Sequence, residues 1–293
     1  MRLVSCYHRN QPRWGIALGH ELRLAPVDGW PGDIATLLAQ DGDPVSTAGR
    51  LRVEGDVPVA WDDVVCRAPI PQPRQNIMCL GLNYAAHAAE SMRAKGRAPE
   101  VPEHPVVFTK STASVAGPYD AVPLDSEITA ELDWEVELAV VVGKRLHKAD
   151  AATARTAVFG YTVVNDLSAR DIQFRHKQFF LGKSLTRSCP MGPTLVTADE
   201  VADPQALGLR CRVNGELKQD GHTGDQIFGV AETIRRLSWI MTLSPGDIIA
   251  TGTPDGVGFA RTPAEFLSPG DTVECEVDGI GTLHNPIVEA ASG

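Results

Sequence analysis

Acidic and apolar residues alternate in Glu131-Leu132-Asp133-Trp134-Glu135-Val136-Glu137-Leu138. Successive side chains of a strand point to opposite faces. Glu135 and Glu137 therefore share one face, while Trp134, Val136 and Leu138 pack on the other. Two carboxylates about 7 Å apart along a strand repel unless a positive charge sits between them. A hard divalent cation suits that place, because Mg²⁺ takes carboxylate oxygens and keeps positions open for water and substrate. A half-buried strand with a charged solvent face gives the same alternation, so this segment alone leaves both readings open.

Further along, Asn165-Asp166-Leu167-Ser168-Ala169-Arg170-Asp171-Ile172-Gln173 follows a strongly apolar strand signal. A carboxylate at Asp166 is expected to face a cleft mouth rather than the core, or to help start the next helix, where negative charge is favoured. His87 and Glu90 are three residues apart, so one helical turn brings them together. A Glu beside a His orients the ring and stabilises its protonated form, which suits a general base. A solvated helix face has the same spacing. Lys183, in Gly182-Lys183-Ser184, reads as a solvated loop charge unless it lies beside a metal-bound carboxylate, where it stabilises developing negative charge. The loop Ala250 to Gly258 has neither GxGxxG nor GxxxxGK, so no phosphate cradle is expected.

Taken together, Glu135-x-Glu137 and Asn165-Asp166-x-Ser168-Ala169-Arg170-Asp171 resemble the signature of the fumarylacetoacetate hydrolase family. Gly81-x-Asn83-Tyr84-x-x-His87-x-x-Glu90 resembles a second segment of that family. The resemblance extends over roughly residues 74 to 288. It implies that Glu135, Glu137 and Asp166 bind Mg²⁺ or Mn²⁺. It implies that His87 and Glu90 form the water-activating pair of the acylpyruvate-cleaving branch, carried on a lid, with Lys183 acting beside the metal. It also implies substrate contacts from Asn83, Tyr84, Lys110, Arg170, Gln173 and Thr253. Many members follow the lysine at 110 with proline, where this chain has Ser111. The implied fold is mostly β with some α (α+β), a mixed β-sandwich roll preceded by a small β-rich N-terminal domain, in a homodimer.

A 2-oxo acid can chelate one metal through its carboxylate and adjacent carbonyl oxygens, and this fixes its orientation. The expected reaction is hydrolysis of a 2,4-dioxo acid of the acylpyruvate or fumarylpyruvate type. His87, oriented by Glu90, activates water, Lys183 steadies the developing charge, and a C–C bond breaks to release a pyruvate-like enolate. The same enolate arises by loss of CO₂, and a moved proton gives an isomerase. The alternative is therefore a decarboxylase or isomerase acting on oxaloacetate or a 2-hydroxyhepta-2,4-diene-1,7-dioate. A non-catalytic cation-binding β domain is the third reading, but it has no use for His87, Glu90 or Lys183. The basic segment Ser91 to Arg97 continues the lid or forms a solvated loop, and it can meet an anionic substrate tail.

These residues need strands to hold them. Short runs at 77–80, 105–108, 136–142 and 161–164 carry strand signals, and helical spacing appears at Asp33 to Gln40, Asp150 to Val158, Ser168 to Gln178 and Val230 to Met241. Ser168 with Asp171 resembles a capping box. Leu243-Ser244-Pro245-Gly246-Asp247 recurs as Leu267-Ser268-Pro269-Gly270-Asp271, and Pro-Gly at the centre of each suits a type II turn leading into a strand. Pro69, Pro71 and Pro73 resist helix and mark a boundary between residues 1–70 and 71–293.

At 293 residues the chain can bury a large core without staples. Its formal charge of -10 argues against nucleic acid and for a small-molecule partner. Six scattered cysteines without a CxxC pair suggest reduced thiols, and no run of about 18 apolar residues suggests a membrane span. The cytoplasm is the expected location.

Overall fold

The computed structural model describes residues 1–291. Its central strand, Val136–Val142, turns Val136, Leu138, Val140 and Val142 toward one core and Ala139 and Val141 toward another. Burial on both faces explains why the run is nearly all apolar. Val158–Asn165 and Ile248–Ala250 pair antiparallel on its two sides. The sheet continues through Ile77–Gly81 to Val106–Lys110 in one direction, and through Cys189–Thr197 to Arg2–His8 in the other. It has twelve strands among the described residues.

A five-stranded sheet that includes Gly208–Val213, Thr272–Val277 and Gly281–Glu289 lies against it. Leu209, Cys211, Val273, Cys275 and Leu283 pack with Val136, Leu138 and Val163 in the core between the sheets. Each fully buried Leu or Val there contributes about 1.5–3 kcal/mol relative to exposure. The chain is thus an α+β, mostly β molecule, as its strand signals suggested.

Three of the expected helices form close to their predicted ends. Ile34–Ala39 is capped by Asp33, Ala151–Thr156 is capped by Asp150, and Val230–Ile240 buries Ile234 and Leu237. The fourth is shorter than expected and starts differently, spanning Arg170–Arg175 with Ala169 at its N-cap and no side-chain cap. The Ser168 hydroxyl donates instead to the Asp166 carbonyl, and Asp171 accepts from the Thr129 hydroxyl, so the capping box does not form. Both Pro-Gly turns behave alike. Gly246 and Gly270 take positive φ, and Asp247 and Asp271 accept from the backbone N–H of Ser244 and Ser268. Each leads into a strand, Ile248–Ala250 and Thr272–Val277.

The first 70 residues hold two short helices beyond the expected one, Pro44–Gly49 and Leu51–Glu54. Their strand Arg2–His8 pairs with Cys189–Thr197, and Leu3, Trp14 and Ile34 share a core with Ala139 and Val141. This core backs the strand that presents the acidic residues. All six cysteines are free thiols. No helix among the described residues is long and apolar enough to cross a membrane.

Candidate metal centre and active site

Glu137 lies on the face of Val136–Val142 that points away from the inter-sheet core, and Glu135 immediately precedes that strand. The Asp166 backbone N–H donates to the Glu135 carbonyl at 2.9 Å, which carries the antiparallel ladder one step past Val136 and Asn165. Register therefore brings Asp166 beside the glutamates. One oxygen from each of the three carboxylates lies within 4.8 Å of the other two, and all three residues are buried. Asp166 is fully enclosed, where a place at a cleft mouth was expected.

Two lysines and an arginine surround this triad. The Lys183 ammonium lies 2.7 Å from Glu135 Oε2 and 2.8 Å from Asp166 Oδ2. Lys110 donates to Asp166 Oδ1 at 2.7 Å and to the Leu167 carbonyl at 3.0 Å. Arg170 pairs with Glu135 at 2.7 Å and with Asp133 at 2.8 Å, and donates to the Gln173 side chain at 3.0 Å. Burial alone would raise the Glu135 carboxyl, but Lys183 and Arg170 hold it down at about 2. Lys183 is pushed the other way: burial opposes its charge, yet Asp166 and Glu135 keep it protonated above its ordinary range.

Glu137 is the exception. Burial, then Asp166 and Glu135, push its carboxyl well above the usual range. Its Oε2 accepts from the Gly252 N–H at 2.7 Å, but its Oε1 is buried without a partner. Four carboxyl groups, counting Asp133, face three cations, so full ionisation would leave one negative charge uncompensated. An all-oxygen donor set with an orphaned buried carboxylate oxygen fits a hard divalent cation. Lys110 is consumed behind Asp166 and does not line the cavity. Ser111 donates its backbone N–H to the Ser184 hydroxyl at 3.0 Å, a bond that proline at this position cannot make.

A cavity of about 50 Å³ opens beside the triad, with Glu135, His87, Arg170, Gln173, Lys183 and Thr253 in its wall. His87 and Glu90 sit on the helix Ala85–Ala94, with Nδ1 2.9 Å from Oε1. Both oxygens of Glu90 also accept from the Gly256 N–H at 3.1 Å. Thr253 donates to the Val136 carbonyl and accepts from Gln219, which fixes the loop that carries it.

Asn83 and Tyr84 do not reach the cavity. The Asn83 side chain bonds to the backbone of Phe228 and Thr251, and the Tyr84 hydroxyl meets Gln226, so both brace the root of the helix. Cys79 and Cys189 are buried, and burial pushes their thiols up, Cys189 to about 12, so neither is a nucleophile.

Several contributors went unread in the sequence. Asp133 accepts from Arg170 and from the N–H groups of Trp134, Gly258 and Phe259, which fixes both the arginine and the loop. Its signal was its place in the same acidic alternation. Phe108, Phe174, Phe179 and Phe259 supply an aromatic wall, and nothing in their spacing marked them.

Comparison with known proteins agrees with this architecture. Residues 76–288 match the family described as fumarylacetoacetate (FAA) hydrolase C-terminal. The chain is 46% identical over 276 residues to oxaloacetate tautomerase YisK of Bacillus subtilis (strain 168), covering 91% of this chain and 90% of that one. It is 40% identical over 296 residues to the mitochondrial oxaloacetate tautomerase FAHD2A of Homo sapiens, covering 98% and 92%. A fumarylacetoacetate hydrolase structure from Exiguobacterium antarcticum superposes with a TM-score of 0.87 at 33% identity, covering 99% of this chain and 100% of that one. The maleylpyruvate hydrolase of Sphingobium sp. SYK-6, solved with manganese(II) and pyruvate, gives 0.78 at 27% identity, covering 99% and 100%.

Proposed function

The chain belongs to the fumarylacetoacetate hydrolase family, and on that premise we propose that it is a divalent-metal-dependent tautomerase of oxaloacetate or a similarly short 2-oxo diacid. The observation that carries this reading is the meeting, in the wall of one small cavity, of Glu135 from the buried carboxylate triad and His87 from the His87–Glu90 dyad. The expected C–C hydrolysis gives way to its isomerase alternative, because relatives at 40% identity and above, over nearly their whole length, are oxaloacetate tautomerases.

Mg²⁺ or Mn²⁺ held by Glu135, Glu137 and Asp166 would polarise the 2-oxo group and acidify the adjacent carbon. Glu90, fixed by Gly256, holds His87 through Nδ1 and leaves Nε2 free for the substrate. His87 takes a proton from C3 of the keto acid, and the electron pair moves to the C2 oxygen. Lys183 and Arg170, kept charged by their carboxylate partners, stabilise that oxyanion. The imidazolium then returns its proton to the oxygen. The enol leaves with every atom of the substrate, and no water is consumed.

The test follows the enol absorbance of oxaloacetate with Mg²⁺, with Mn²⁺ and with chelator, alongside pyruvate release from oxaloacetate and acetylpyruvate. Metal-dependent acceleration of the keto–enol exchange is expected to exceed both releases. Faster decarboxylation or faster acetylpyruvate cleavage refutes the proposal.

A further inference from the structure

Lys95 follows the helix that carries His87 and Glu90, and its side chain enters the wall of the same cavity. Its ammonium lies 4.1 Å from the ring centroid of Phe174 and 5.8 Å from that of Phe259. The two rings meet edge to face at 5.1 Å. The Arg170 guanidinium lies over Phe259 as well, at 4.5 Å. Two cations thus share one aromatic shelf.

Every other cation in this wall has a carboxylate partner: Lys183 has Glu135 and Asp166, and Arg170 has Asp133 and Glu135. Lys95 is solvent-exposed on one side and forms no ion pair among the described residues, and partial desolvation and the charge of Arg170 both depress its pKa. Ring faces offset only part of the cost of that desolvation. An anion arriving beside Lys95 would relieve the repulsion and supply the missing partner.

The 2-oxo acid end of the substrate is committed to the triad, so this anion must be the substrate's other end. We infer that Lys95 is the specificity-determining residue that binds the distal carboxylate of a short dicarboxylic 2-oxo acid. The inference rests on the substrate reading above and adds the residue that separates diacids from monoacids.

The experiment compares oxaloacetate with its 4-amide, which keeps the chelating end and the size but removes the distal charge. Binding to the Mg²⁺-loaded full chain is measured by calorimetry, and enolisation is measured in parallel. Wild-type protein is expected to prefer oxaloacetate about 10- to 100-fold, the range of one charge-assisted hydrogen bond. In Lys95→Met, which keeps an apolar stem over Phe174, the ratio of the two affinities should fall to near one, and Lys95→Arg should restore most of it. Wild-type protein that binds both equally, or a Lys95→Met variant that keeps the preference, overturns the inference even if enolisation stands. Loss of the preference in Lys95→Met, with no enolisation by wild-type protein, sustains the distal contact and removes the tautomerase reading instead.

Discussion

Glu90 divides its carboxylate between the His87 ring, 2.9 Å away, and the Gly256 backbone N–H, 3.1 Å from each oxygen. The imidazole proposed as the base is thereby tied to the loop that carries Thr253 and Phe259. Neither anchor needs substrate to be present.

A base held this way supplies most of its effect in the chemical step. His87→Ala should lower kcat for oxaloacetate enolisation by about 10²- to 10⁴-fold. Glu90→Gln keeps a partner for the ring but removes the carboxylate, and should lose less. Circular dichroism melting should place both variants near wild type, since the cost falls on kcat. Full activity in His87→Ala would exclude it as the base.

Lys183 neutralises two buried carboxylates at once. Lys183→Met leaves both without that partner, a loss of about 3–5 kcal/mol when one side of a buried pair is removed. Urea titration should show a lower midpoint with an unchanged slope, and Mn²⁺ should recover part of the difference. A change below about 1 kcal/mol would mean that the carboxylates do not depend on Lys183.

The parity of Glu131 to Leu138 was legible because a strand has a period of two, and the buried face filled as the alternation required. Asp166 was legible only through its motif. What joins it to Glu135 is ladder register, a tertiary property that no local spacing encodes. The role of Asp133 depends on the N–H groups of Gly258 and Phe259, over 120 residues away. Asn83 and Tyr84 show the converse. Their motif was visible, yet their side chains brace the backbone and do not line the cavity. The basic run around Lys95 was readable as charge, while the aromatic shelf beneath it needed the fold.

Glu232, in the first turn of Val230–Ile240, accepts from Arg235 and Arg236, and those bonds hold its carboxyl at about 2 against an ordinary 4.5. A depressed folded pKa contributes stability that is fully present above 4.5 and is lost as pH falls toward 2. The group is about one-third exposed, so solvent screens the effect. Glu232→Gln should lower Tm at pH 7 by about 1–3 °C, and melting curves should converge with wild type as pH falls through that window. A gap that persists at the acid end would place the effect elsewhere than in this charge.

Glu137 sets function against stability. Without metal, its carboxylate repels Glu135 and Asp166 across a buried space, and its Oε1 has no partner. Glu137→Gln retains an oxygen for the Gly252 N–H and turns an amide donor toward the two remaining carboxylates. The metal-free variant should therefore melt above metal-free wild type. With Mn²⁺ at a hundred times its Kd, wild type should gain about 2.7 kcal/mol, and the variant should gain little because it has lost one anionic ligand. Scanning calorimetry of both proteins, with chelator and with Mn²⁺, should show the order of stability reverse. An unchanged order would mean that Glu137 is not a ligand, and that its buried charge is compensated by something other than a cation.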